Sequence, residues 1–252
     1  MLFAFGRQLA LEPFAGRRGG KAAERRFAEL DRHTPPDLAH RVDDLIDGDA
    51  ALDARERHIR RAHGVDRADD MDERQVSREA SMAKMLTTWQ AMQDAADSYT
   101  GRKRSVSGLV GGDGMKMRQY TFRGCAMTGG YVSEVIAEAL SMAESNACMR
   151  RIVAAPTAGA CGVLPAVLLP LCKYEELTQH QLLEALYVAA GIGSIIAYKA
   201  SIAGASGGCQ AEIGTASAMA AGALVALRGG EGEQIGHAVA MALKNLMGLV
   251  CD

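Results

Sequence analysis

Apolar residues return at intervals of three and four along most of this chain, the spacing that lays them on one side of a helix. Across residues 77–96, Met82, Met85, Leu86, Trp89 and Met92 make one such stripe, closed by Tyr99-Thr100-Gly101. A second helix is expected over 132–146, with Val135, Ile136, Ala139, Leu140 and Met142 turned inward. A third runs over 178–197 on Leu182, Leu183, Leu186, Tyr187 and Ala190, where Gly191 and Gly193 leave room for a close crossing. A fourth covers 232–250, with Ile235, Val239, Ala240, Leu243 and Leu246 on one side. No stretch sustains the period-two alternation of a half-buried strand. The pattern predicts an all-α fold, with a multi-helix domain over residues 76–252.

Residues 1–75 follow another pattern. Arg, Asp and Glu crowd there, and Phe27, Leu30, Leu38, Val42, Leu45, Ile46 and Leu52 recur as short apolar positions. This is the signature of exposed amphipathic helices, so 1–75 is expected to be a charged helical extension or docking arm. His33, His40, His58 and His63 lie within it. His58 and His63 are five apart and share a helical face poorly, which disfavours a metal site.

Composition supports helices. The chain of 252 residues is 48% hydrophobic but only 5% aromatic, with 13 Met, so its apolar mass is aliphatic. β-Sandwiches draw more on aromatic and β-branched residues. The net charge of −2 gives no field to attract nucleic acid or a membrane surface. The opening residues lack a basic leader and are interrupted by Arg7, Glu12 and Pro13, unlike a secretory signal. The apolar run 182–197 is short and glycine-broken for a membrane span. A cytoplasmic location is expected, where six cysteines serve as thiols or metal ligands rather than disulfides.

Three glycine-rich interruptions remain. SVSGLVGGDGMKMRQY, residues 105–120, reads as a tight loop whose backbone N–H groups can meet a carboxylate, or as a plain connection. In residues 152–171, IVAAPTAGACGVLPAVLLPL, the prolines predict that no unbroken helix forms. Its Pro-Thr-x-Gly turn needs partners for its backbone groups, which marks it as a candidate ligand site. The stretch 201–223, SIAGASGGCQAEIGTASAMAAGA, sets Cys209 after a Gly-Gly pair and before a helical alanine run. Cys125, Cys148 and Cys172 are expected to be buried small hydrophobes. Cys161, in the proline turn, and Cys209 and Cys251, after glycine-containing apolar segments, stay open as ligands.

PTAGACGVLPAVL, SIAGASGGCQAEIGTASAMAAGA and NLMGLVCD, in that order and with SGLVGGD before them, resemble the signature blocks of the iron–sulfur-dependent L-serine dehydratases. More narrowly, they resemble the α chain of the two-chain form, over residues 77–252. The resemblance implies a [4Fe–4S] cluster held by three cysteines, two matching Cys209 and Cys251. The third lies in a Val-Pro-Cys block after the second, beyond Asp252, so a chain continuing past this point is expected. Cys161 is a weaker candidate, because family members can place a small non-cysteine residue there. A β chain, or a homo-oligomer, is the implied partner.

The implied reaction converts L-serine to pyruvate and ammonia. The open iron of such a cluster is a Lewis acid for the substrate hydroxyl or carboxylate. A base must take the α-proton, and Lys199, Glu212 and His237 are candidates. Thr157, Gly159, Ser201 and Asn245 are candidate contacts to the substrate, as polar groups in apolar blocks. Two other readings stand beside this one. Lys199 could serve as the Schiff-base lysine of a pyridoxal-phosphate lyase, with GLVGGDG cradling phosphate. Alternatively, the chain is a non-catalytic helical assembly subunit.

Overall fold

The computed structural model describes residues 71, 74–124 and 126–248. The charged extension expected over 1–75 therefore lies almost wholly outside the described residues, as do Cys125 and Cys251. Every regular element among the described residues is helical, in agreement with the all-α expectation.

The first long helix, α1 (Arg78–Asp97), starts where Ser77 caps it by accepting from the Ala80 amide at 3.3 Å. There follow α2 (Asp113–Phe122), α3 (Gly129–Ala147), α4 (Val163–Tyr174) and α5 (Gln179–Lys199). The short α6 (Gly204–Cys209) passes into a π-helical turn (Gln210–Gly214), then α7 (Thr215–Leu227), and α8 (Gly232–Leu246) completes the set.

The alanine run of α7 is the centre. It is buried nearly all round, from Thr215 to Val225. Its small side chains let α4, α5 and α8 close on it from three sides. A Cβ at Gly193 would stand 2.9 Å from Met219 Sδ, and one at Gly222 would stand 2.1 Å from Ile192 Cδ1. The close α5–α7 crossing expected from Gly193 is thus present. The α1 stripe joins the same core through Trp89 and Met92. By length and composition, α5 could cross a membrane, but its apolar side lies in this core against α7.

Three local expectations need correction or refinement. Residues 152–171 form no single unbroken helix, as expected, since α4 begins only at Val163, but α4 does run through both Pro165 and Pro170. Pro165 sits in the first turn, where an N–H needs no helical partner, and Pro170 is buried among Leu164, Leu168 and Leu171, whose packing outweighs one lost bond. Leu140 is 36% exposed rather than inward. Val135 and Met142 are buried as expected, but so are Ser133, Ala137, Glu138, Ser141 and Ser145, with α2 packed against α3. Cys172 is exposed on the outer side of α4, and Cys148 is only half-buried at the end of α3.

Candidate active site

Two glycine turns meet at Glu212. The carboxylate sits in the π turn, and its Oε1 accepts from the Thr157 hydroxyl and, at 3.2 Å, from the Gly159 amide. These donors belong to the Pro-Thr-x-Gly turn, more than fifty residues upstream. The approach is so close that a Cβ at Gly159 would stand 2.4 Å from Glu212 Oε2. From the other side, a Cβ at Gly204 would stand 2.8 Å from the same oxygen. A side chain at either place would push the Glu212 carboxylate out of this position. The Pro-Thr-x-Gly turn is itself tied down, since Asn146 Nδ2 donates to the Ala158 carbonyl at 3.0 Å.

Cys209 is exposed at the start of the π turn, just after Gly208, whose φ of 72° suits glycine. Its neighbour Gln210 reaches away and donates to the carbonyl of Leu246, the last residue of α8. Gly214 also faces Leu243 and Leu246. The chain leading towards Cys251 thus starts against the turn that carries Cys209. Cys161 is of a different kind, being only 1% exposed. Burial pushes its thiol pKa up, and the charge of Glu212 acts in the same direction. A thiol held neutral in this way is a poor metal ligand.

Of the candidate set, Thr157, Gly159 and Glu212 are brought together. Ser201 lies nearby in sequence but is exposed, with its hydroxyl against that of Ser206. Lys199 is the exposed last residue of α5. His237 is exposed on α8, 3.6 Å from Glu233, and Asn245 is exposed about two turns further on. Among the described residues, no three His, Cys, Asp or Glu side chains converge as a ready metal-ligand set.

A second carboxylate was not foreseen. Glu144 of α3 is 4% exposed and accepts from the amides of Gly112 at 2.9 Å, Asp113 at 2.6 Å and Gly114 at 3.3 Å, and from the Tyr99 hydroxyl. The glycine loop of residues 111–114 does present its N–H groups to a carboxylate, and that carboxylate is internal. Those amides, at the N-terminus of α2, are thereby occupied and cannot cradle a phosphate. Burial alone would raise the Glu144 pKa, but the Tyr99 and backbone donors together hold it below the usual glutamate value. Burial and the hydrogen bond to Glu144 push Tyr99 up to about 12. Arg118 stacks 5.2 Å from the Tyr99 ring and binds both oxygens of Glu138 at 3.1 Å. The signal in the sequence was the loop; its partner lay thirty residues away on a face that no apolar pattern marks.

The family model described as "Serine dehydratase alpha chain" matches residues 46–252. The probable L-serine dehydratase alpha chain of Bacillus subtilis (strain 168) is 38% identical over 185 residues, covering 73% of this chain and 62% of that protein. The L-serine dehydratase alpha chain of Peptoniphilus asaccharolyticus is 41% identical over 144 residues, or 57% of this chain and 49% of that one. L-serine dehydratase 2 of Escherichia coli (strain K12) is 44% identical over 115 residues, 45% of this chain and 25% of that protein. The chain thus spans about half to three fifths of the length of the two alpha chains.

Proposed function

The chain belongs to the serine dehydratase alpha chain family, and from that premise we propose that it carries the catalytic domain of an L-serine dehydratase, converting L-serine to pyruvate and ammonia. The observation that carries the reading is Glu212, held between two glycine turns three residues after Cys209.

Cys209, and Cys251 outside the described residues, would hold a [4Fe–4S] cluster together with a third thiolate. The donor chemistry fits at Cys209, an exposed thiol on a turn of small residues. When bound, the cluster supplies an open iron as Lewis acid for the departing serine hydroxyl. Glu212 takes the α-proton. Its Oε1 is fixed by Thr157 and Gly159, so Oε2, over Gly204, is the oxygen placed for that transfer. Loss of the α-proton and of the β-hydroxyl as water leaves aminoacrylate, which tautomerises to an imine and hydrolyses.

The relatives' designation as alpha chains supports pairing with a second, β chain, or with another copy, and a cytoplasmic setting suits a cluster sensitive to oxygen. The test is anaerobic reconstitution of the whole protein with iron and sulfide. It should turn brown and release pyruvate from L-serine. Glu212→Gln should lose turnover while keeping the colour, and Cys209→Ala should lose both. Lys199→Gln and His237→Gln should retain turnover. Full activity in Cys209→Ala, or in protein stripped of iron, would overturn the proposal. A visible spectrum assigned to pyridoxal phosphate would favour the lyase reading instead.

A further inference from the structure

We infer that Asn146, at the end of α3, is a positioning residue for Glu212. The inference rests on the proton-transfer role given to Glu212 above. The Asn146 side-chain amide donates to the Ala158 carbonyl at 3.0 Å. The N–H of that same planar peptide group belongs to Gly159 and donates to Glu212 Oε1 at 3.2 Å. In a trans peptide the C=O and N–H point in opposite directions, so fixing the oxygen aims the hydrogen. Asn146 thus holds one end of a rigid unit whose other end holds Glu212.

The turn needs such a hold. Ala158 and Gly159 are both exposed, and Gly159 has no side chain to pack. The Ala158 carbonyl accepts one further bond, a longer one of 3.3 Å from the Cys161 amide. Asn146 is well placed to act as an anchor because its helix is itself fixed two residues earlier. There Glu144 takes the Tyr99 hydroxyl and three amides at the start of α2. Two hydrogen bonds in series through one peptide also polarise each other, which strengthens the donor presented to Glu212. The last turn of α3 thereby joins the SGLVGGDG loop to the Pro-Thr-x-Gly turn.

The experiment compares the whole protein with Asn146→Asp, which keeps the shape but removes the donor, and with Asn146→Ala. Amide hydrogen exchange is measured over residues 155–160, and serine turnover is measured after anaerobic reconstitution. Both variants should exchange faster at Gly159, by about tenfold for the loss of one hydrogen bond's worth of local stability. In both, kcat should fall by about tenfold with KM changed less than twofold, since the carboxylate is misaimed rather than the substrate displaced. The kcat effect should shrink in a Thr157→Ala background, because both changes act on the same oxygen. Unchanged exchange at Gly159 would overturn the inference whether or not the protein is active. Faster exchange with unchanged kcat would overturn it as well. A parent protein that makes no pyruvate, while its variants still exchange faster, would refute the dehydratase reading and leave the hold on the turn standing.

Discussion

The side-chain amide of Gln210 donates to the carbonyl of Leu246, joining the residue after Cys209 to the last residue of α8. The bond spans 36 positions of sequence and sets where the chain departs towards Cys251. Residues that orient metal ligands from behind change metal affinity by about 10- to 100-fold when removed. On the cluster reading proposed above, Gln210→Ala should lower the iron and acid-labile sulfide retained per chain after reconstitution by at least about tenfold. Its circular dichroism should stay that of the parent. Undiminished iron in this variant would show that the end of α8 is held by other means.

Gly159→Ala is the sharpest test of the niche around Glu212. The added methyl would stand 2.4 Å from the carboxylate, so Glu212 must leave its two donors. Displacing a positioned general base costs about 10²- to 10⁴-fold in rate. The variant should lose turnover on that scale while keeping its helical content and its cluster colour. Gly204→Ala, which crowds the same oxygen from the opposite side, should behave alike.

Glu144 makes stability depend on pH. Its carboxyl is held below the ordinary value in the folded chain, so the unfolded chain binds its proton first as pH falls. The stabilisation is fully present above the unfolded glutamate pKa of about 4.3 and is lost as pH drops through the lower folded value. Denaturation midpoints measured across that window should fall towards acid, and Glu144→Gln should flatten the slope. Glu144→Ala, which leaves the Tyr99 hydroxyl and three amides without their acceptor, should destabilise by about 3 kcal/mol at neutral pH.

The cysteines differ in reach. In protein kept free of iron and under reducing conditions, iodoacetamide should label Cys209 within minutes. Cys161, buried and with its thiol pKa raised, should react only on unfolding. Peptide mass mapping separates the two. Early labelling of Cys161 would contradict its place beneath the turn.

Helices were readable from the sequence because their stripes are apolar and periodic. Trp89, Met92, Leu182, Leu186 and Ile235 all lie in the core their spacing predicted. The pattern failed where burial is not apolar. Leu140 reads as inward because it is a leucine, yet it is 36% exposed, while the neighbouring Ser141 takes the buried place against Gly114 of α2. The prolines of α4 looked like breaks because propensity is local, whereas the packing that tolerates Pro170 comes from elsewhere in the chain. Thr157, Gly159 and Glu212 were each visible as polar points in apolar blocks. That they form one cluster was not, since nothing local records a hydrogen bond across fifty residues. Glu144 went unseen for the same reason: the loop advertises its donors, but the acceptor sits in an ordinary helical stretch.

The π turn at Gln210–Gly214 has a consequence for how such a chain can change length. A π turn holds one residue more than an α-helix would use over the same rise. Each helical residue turns the chain by about 100°. Removing one residue from the turn would leave α7 seated among its neighbours but swing Cys209 and Gly204 about 100° around the axis. Conversely, the one residue gained in that turn sets the register of Cys209 and Gly204 against the buried alanine rod without repacking the core.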